Sequence, residues 1–451
     1  MKITFLGGAG SVTGSKYLVQ TDSTQILVDC GLFQGYKSLR ERNWQSLPVD
    51  IEKLDAVVLT HAHLDHSGYI PVLHKNGYRK PVFTHYATKD LCSILLPDSG
   101  HIQEEDAKYL VKHRLSKHEN PQALYTRREA EQSLKLFRGV DFEETFSVGD
   151  IQCRLQSAGH ILGAASIILE AEGKRIGFSG DVGRPDDVFM RPPSRLPEVD
   201  LLILESTYGN RQHERIDPGP QLASIVNETM GNGGVVLIPS FAVGRAQTIM
   251  HLLAELMNKE DIARVPIYLD SPMAINVSDI YCRYAGQHRL TQQQCKTMCE
   301  DVTYTKSVEE SKAISRQAYP HVIIAGSGMA TGGRILHHMK RLLGSHNTTV
   351  LFTGYQAGGT RGAKMQQGVD SVKIHGKWIP CRAKIEVLHA LSGHGDYLDI
   401  EQWLADSNLT NKTKIQLVHG DPDALEGMKD YLTRNTDYET SISEHRKSVT
   451  I

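Results

Sequence analysis

The sequence predicts an α/β protein of two unlike parts, and three observations support this. Short apolar segments of strand length alternate with turns over residues 1 to about 60 and return from 150 to 206. Between them, around 86 to 140, the pattern turns helical and charged. After Tyr208 it changes to a repeated strand, small-residue loop and helix, the order of a parallel sheet covered by helices.

The first strands are KITFLG (2–7), SKYLVQT (15–21), TQILVDCG (24–31) and LDAVVLT (54–60), where apolar residues run between Gly, Asp and Thr breaks. The helical stretch is clearest in DSGHIQEEDAKYLVKHR (98–114). Strands resume with DIQCRLQSA (150–158), ASIILEA (165–171), KRIGFSGD (174–181) and VDLLILES (199–206), so layered sheets under helices are expected. The strand–loop–helix units then start at 235, 265 and 321, and TTVLFTGYQAGGTRG (348–362) adds another strand and Gly loop. Near the end, IEVLHALSGHGD (385–396) and KIQLVHGD (414–421) read as two strands, each ending at a histidine.

Several function classes fall away on composition. No apolar run among the 451 residues approaches the roughly 20 that a membrane span needs, and MKITFLGG reads as a strand entering a Gly turn rather than a signal peptide. Seven cysteines at irregular spacing fit reduced thiols in a cytoplasm; Cys295 and Cys299 lack the second pair that a structural zinc site would want. The net charge is −2, so no global basic field recruits nucleic acid, and an anionic substrate must be held by a local cleft.

The chemistry concentrates in LTHAHLDHSG (59–68), which places His61, His63, Asp65 and His66 within six positions. On a strand end, His61 and His63 project to one side, while Asp65 and His66 fall in the turn that opens the next helix. Adjacent ligands facing different ways suit two metals better than one. Further donors recur at other strand ends, namely His160, Asp181 and His419, each flanked by small residues. Together they make seven ligands, enough for two ions with an open position for water.

H-A-H-L-D-H at 61–66, with Asp29, His160 and Asp181 at matching strand ends, resembles the metallo-β-lactamase fold. E-S-T-Y-G from Glu205, S-G-H-G-D around His394 and V-H-G-D around His419 look like the three further motifs of the β-CASP nucleases. The resemblance implies an αββα four-layer metallo-β-lactamase sandwich over 1–207 and 385–451, with a β-CASP α/β domain inserted at 208–384. It implies one zinc on His61, His63, His160 and Asp181, and a second on Asp65, His66, His419 and the shared Asp181. Asp29 then orients a ligand histidine. Asp65 doubles as the residue that orients the nucleophile. His394, held by Glu205, serves as acid or phosphate clamp.

GGAGSVTG (7–14) departs from a dinucleotide fingerprint at Thr13 and is taken as a tight turn near the metal site. GSGMATGGR (326–334) lacks the Lys-Ser/Thr of a P-loop, which argues against a nucleotide cofactor, but its helix start can cradle a phosphate. Ser327, Gly328 and Met329, helped by Arg334, are the RNA-binding candidates there; Ser240 and Arg245 of PSFAVGRAQ (239–247) are two more. Arg361, Lys364, Lys373, Lys377, Arg382 and Lys384 crowd a segment with one acid, Asp370.

The resulting expectation is a zinc-dependent ribonuclease acting on single-stranded RNA in the cytoplasm, with no membrane association and a homodimer open. A small-molecule hydrolase of thioesters or lactams, a DNA nuclease and a vestigial RNA-binding scaffold are the alternatives. The resemblance implies RNA rather than DNA, because His419 stands where RNA-acting members of the family carry histidine and some DNA-acting ones carry valine, and the full donor set weighs against a vestigial site.

Overall fold

A computed structural model of the chain describes residues 1–112, 121–241, 243–314, 316–354 and 356–451. His113 and Arg114 of the predicted helical stretch, and Ala242 and Tyr355 of two predicted loops, lie outside them. The chain forms two compact units, one of Met1–Gln212 with Gly393–Ile451 and one of His213–Ser392.

The first unit holds two seven-stranded sheets. One runs, in spatial order, Ser448–Thr450, Lys2–Gly7, Lys16–Gln20, Gln25–Val28, Ala56–Val58, Val82–His85 and Phe137–Val140. The other runs Glu439–Ile442, Lys414–Val418, Leu201–Glu205, Lys174–Phe178, Ala165–Ala171, Ile151–Ser157 and Thr145–Val148. Their facing side chains fuse into one core, in which Ile3, Phe5, Val19 and Val28 share a cluster with Leu155, Ile167, Ile176 and Ile203. Period-two alternation explains the arrangement: along Ile151–Ser157, Ile151, Cys153 and Leu155 point inward while Gln152 faces water. Helices Tyr397–Asp406 and Pro422–Asn435 cover the outer face of the second sheet through Trp403, Leu404, Leu425 and Met428. Helices Ile70–Lys75 and Tyr86–Lys112 belong to the first sheet's side, giving the αββα order.

The second unit is a six-stranded sheet ordered Val302–Tyr304, Ile267–Asp270, His321–Ala325, Val235–Pro239, Thr348–Phe352 and Lys384–Val387, with every pairing parallel. Its loops at the carboxyl ends of the strands carry Ser240, Ser271 and Gly326. A separate hairpin, Ser371–Ile374 with Lys377–Pro380, packs Val372 and Ile374 into this unit's core.

The structure corrects one expectation about His394. Strand Lys384–Val387 does not end at it but pairs with Thr348–Phe352 in the second unit's sheet. His394 follows a later turn in the first unit, where the Gly395 N–H donates to the Val182 carbonyl (2.8 Å). A strand pattern marks where pairing can occur, and here the partner strand, not the histidine, decides where the segment belongs.

Candidate metal centre

Each candidate ligand stands just past a strand that carries it to one edge of the sandwich. His160 follows Ile151–Ser157 through Gly159, and Asp181 follows Lys174–Phe178 through Gly180, both glycines at positive φ (69° and 57°). Asp29 (φ 57°) and His419 (φ 51°) themselves take the left-handed conformation, an unfavourable backbone that the surrounding structure must impose. Strand Ala56–Val58 ends before His61, and His63 caps the short helix Leu64–Ser67 that carries Asp65 and His66. Gly31 lets this turn approach, since a Cβ there would lie 1.6 Å from the Asp65 carbonyl oxygen. The turn is fixed from below by N–H donors: Ser15 to Asp65 O (2.9 Å), Cys30 to His66 O (2.7 Å) and Leu32 to Leu64 O (2.8 Å). The loop 7–14 lies beside it, as expected, with Gly8 O accepting from His419 N (2.6 Å).

The donors fall into two sets joined by Asp181. His61 Nε2 and His160 Nε2 each lie 3.2 Å from His63 Nδ1 and 3.4 and 3.5 Å from Asp181 Oδ2. On the other side, His66 Nε2 is 3.2 Å from His419 Nε2 and from Asp181 Oδ1, while Asp65 Oδ2 is 3.6 Å from His419 Nε2. Tetrahedral ligands bonded at about 2.0–2.1 Å stand about 3.3 Å from one another, so these spacings fit a divalent ion. The buried Asp181 Oδ1 has no hydrogen bond, which is costly unless a cation satisfies it.

The proton positions fit as well. The Thr60 hydroxyl gives its proton to Asp29 (3.0 and 2.9 Å), so it accepts from His61 Nδ1–H (3.1 Å) and leaves Nε2 as the ligand atom. Thr207 does the same opposite, donating to Glu205 Oε2 (2.5 Å) and accepting from His419 Nδ1–H (3.1 Å). His66 Nδ1–H donates to Asp29 Oδ2 (2.7 Å) and His160 Nδ1–H to the Gly393 carbonyl (2.8 Å). Four rings thus turn Nε2 toward the centre, the atom a metal would take, while burial is outweighed at His66, which Asp181 and Asp29 raise well above the ordinary imidazole range. Burial pushes His61 and His160 well below the ordinary imidazole range and His63 down to about 4. Burial opposes ionisation of Asp181, yet His419 and His66 hold its carboxyl well below the usual range.

Beside this centre, His394 Nδ1 meets both Glu205 oxygens at 3.1 and 3.2 Å, and its Nε2 lies 3.9 Å from Asp181 Oδ2. Burial disfavours the imidazolium, but Glu205 and Asp181 outweigh it and raise His394 to about 9. The ring is 18 % exposed, so it sits in a pinned loop rather than on an open strand end. Asp396, the last residue of S-G-H-G-D, pins that loop by capping the next helix through Leu398 N (2.9 Å) and Asp399 N (3.0 Å). Asp65 and His394 are partly open to solvent, at 21 % and 18 %. Sequence reasoning missed Thr60, Thr207 and Gly393. Only the polar residue closing the apolar run AVVLT hinted at Thr60.

The RNA-binding candidates are grouped in the second unit, where three strand-end loops meet. Gly328 packs on Phe241, the Gln356 side-chain amide donates to Gly328 O (3.1 Å), and Gly362 N donates to Met329 O (3.2 Å). Two of these candidates already have partners within the unit. Arg334 is already engaged, with its guanidinium on Asp270 (2.6 Å) and on the Thr305 and Lys306 carbonyls, because buried Asp270 needs a counter-ion. Ser240 is buried and turns its hydroxyl to the Phe241 carbonyl (3.1 Å). Ser327 Oγ accepts from Thr331 N (2.9 Å) and Gly332 N (3.2 Å), so it fills part of the cradle expected for a phosphate. Arg245 opens helix Arg245–Asn258 from Gly244 and is half-buried. In the basic segment, Lys384 pairs with Glu228 and Glu386, and Arg361 binds the Lys373, Ala330 and Thr331 carbonyls.

Histidine and carboxylate donors sharing one aspartate, at the strand ends of an αββα sandwich, define a metallo-hydrolase. The chain belongs to its β-CASP family: residues 10–225 match the metallo-beta-lactamase superfamily, 246–365 the Beta-Casp domain, and 378–443 the Zn-dependent metallo-hydrolase RNA specificity domain. It is 34% identical over 432 residues to ribonuclease TTHA0252 of Thermus thermophilus, covering 94% of both chains. Two relatives from Methanocaldococcus jannaschii are the transcription termination factor FttA, 33% identical over 93% of this chain and 67% of that one, and an RNase J-like protein, 30% identical over 93% and 92%. A crystal structure of a protein of unknown function from Enterococcus faecalis V583 shares the fold (TM-score 0.53, 14% identity, 100% and 99% of the two chains). Among the described residues, no helix is long and apolar enough to cross a membrane.

Proposed function

We propose that this chain is a zinc-dependent ribonuclease that hydrolyses phosphodiester bonds of single-stranded RNA in the cytoplasm. The observation that carries the proposal is the His394–Glu205 pair beside the Asp181 shared by both donor sets. A thioester expels a thiolate that needs no proton, whereas phosphodiester cleavage needs a proton at the departing oxygen. The match to an RNA specificity domain and the relatives named ribonuclease and RNase J-like agree with RNA as substrate.

In this reading His61, His63, His160 and Asp181 hold one zinc ion, and Asp65, His66, His419 and Asp181 the other. The ions, when bound, supply Lewis acidity that neutralises phosphoryl oxygens and lowers the pKa of water toward about 7. The protein's own part is positional. Asp29, Thr60, Thr207 and the Gly393 carbonyl fix four imidazole tautomers, so no ligand reorients during turnover. Asp65, partly open to solvent, accepts a hydrogen bond from the attacking water and aims it. His394, with Nδ1–H held by Glu205, keeps a proton at Nε2 for the phosphate or the departing oxygen.

The test uses end-labelled RNA bearing a 5′ phosphate or 5′ hydroxyl, with and without chelator. A mononucleotide ladder identifies an exonuclease and discrete fragments an endonuclease. Intact RNA alongside turnover of a thioester or lactam by the same metal-replete protein overturns the proposal. His394→Ala is expected to keep its zinc, measured by mass spectrometry of the metal, and to cleave about 10²–10⁴-fold more slowly. Loss of both ions in that variant makes His394 a ligand instead.

A further inference from the structure

The hairpin Ser371–Ile374/Lys377–Pro380 has two faces with opposite chemistry. Its turn is His375–Gly376, both at positive φ (47° and 80°), which suits the twist of a two-residue hairpin and fixes the register. One face drives Val372, Ile374 and Ile379 into the core of the second unit. The other carries Trp378 directly across from Lys373, with Pro380 across from Ser371. Trp378 is 68% exposed, the largest exposure among the large hydrophobic side chains.

A solvated indole of this size on a well-anchored strand is unusual, because burying it would gain several times the stabilisation of an ordinary core methyl group. Its surroundings are cationic. Lys373 is exposed directly across from it, whereas Lys377, across from Ile374, leaves from the opposite face; the stretch 361–384 contains six Lys and Arg against Asp370. Burial lowers His375 first, and the cationic neighbours His337, Lys340 and Arg361 push it the same way. The platform is also rigid: the Arg361 guanidinium bonds the Lys373 carbonyl (2.7 Å) and the Ala330 and Thr331 carbonyls, joining hairpin to strand-end loop.

We propose that Trp378 is a stacking platform for one base of a single strand, whose flanking phosphate is held by Lys373. An aromatic face with an adjacent lysine is the chemistry by which single-stranded nucleic acid is gripped without sequence preference. The positive patch disfavours a second copy of the same face, since like charges would be brought together. The proposal rests on the ribonuclease reading for the identity of its ligand.

The probe is a fluorescein-labelled oligoadenylate, and the protein is zinc-loaded full-length chain carrying His394→Ala, so that binding is read without cleavage. Trp378→Ala is expected to weaken binding about tenfold and leave the salt slope intact, while Lys373→Glu flattens the slope by roughly 1. In a Trp44→Phe background, oligoadenylate should quench the part of the fluorescence that Trp378→Ala removes and spare that of the buried Trp403. With His394 restored, Trp378→Ala should hydrolyse bis(p-nitrophenyl) phosphate, which is too small to reach a platform, at the parent rate. Unchanged oligoadenylate affinity in Trp378→Ala overturns the platform. So does self-association of the parent chain that this substitution abolishes. The two readings fail separately: RNA cleaved with a silent Trp378 removes only the platform. Oligoadenylate that quenches Trp378 but is never cleaved removes only the ribonuclease.

Discussion

At the scale of single residues, the site is built from partners that set which nitrogen each histidine offers. Asp29 does most of this, because it accepts from His66 directly and, through Thr60, governs His61. Replacing it with Asn removes the charge and keeps the shape. Asp29→Asn is therefore expected to weaken the His66 set for zinc by about 10–100-fold, with a smaller effect on the His61 set. Competition against a chromogenic chelator would show one tight and one weakened site. Two sites of parent affinity would mean that Asp29 does not orient His66. The ligands themselves were legible in the sequence because only a few side-chain types bind metal, and here they cluster. Thr60 and Thr207 were not legible, since threonine closes many strands and only the fold reveals which hydroxyl meets an imidazole. The contact of Arg334 with Asp270 was not legible for a related reason: the two lie 64 positions apart in the sequence.

At the scale of elements, the metal-binding turn depends on the strands beneath it, and Lys16 is the least expected part. Its ammonium is buried, donates to the Gly14 (3.3 Å) and Gly31 carbonyls, and lies 4.6 and 4.8 Å from the Phe33 and Tyr69 ring centroids. Those carbonyls flank Ser15 and Cys30, the residues that donate to Asp65 and His66. Burial lowers Lys16 to about 8. The sign follows from comparing states. Between pH 8 and the unfolded value near 10.5, the unfolded chain keeps a proton that the folded chain has released, so stability rises with pH across that window. Below pH 8 the full penalty of a buried charge is present. Relative to Lys16→Met, which does not titrate, the parent should gain on the order of 3 kcal/mol between pH 7 and 10.5. Urea melts at several pH values would measure it; a constant difference between the two proteins would mean that Lys16 titrates normally. Strand positions in this region could be read from alternation, but a lysine in the apolar stretch SKYLVQT gives no sign of which carbonyls it will meet.

At the scale of the whole molecule, the two chain patterns correspond to two kinds of sheet, one pair mixed, with antiparallel and parallel pairings in equal number, and one wholly parallel. Periodicity revealed this because buried parallel strands read as continuous apolar runs, whereas half-buried strands alternate. Where one pattern yields to the other was harder to see, as Lys384–Val387 shows, because an edge strand has half its usual contacts to leave a trace. The consequence for stability is asymmetric. Among the described residues, every cluster able to hold a metal lies in the first unit, where Asp29, Asp181 and Glu205 are buried together. An ion bound at about 1,000 times its dissociation constant adds roughly 4 kcal/mol to the folded state. For a unit of this size, removing it should lower the melting midpoint by roughly 10 °C. Amide exchange after chelation should then quicken in 59–67, 158–164, 179–182 and 393–397, the loops that carry the donors. It should stay slow in strands Val235–Pro239 and His321–Ala325 of the parallel sheet, and zinc should restore the difference. Equal acceleration in both units, or no change in either, would mean that these loops do not owe their order to bound metal.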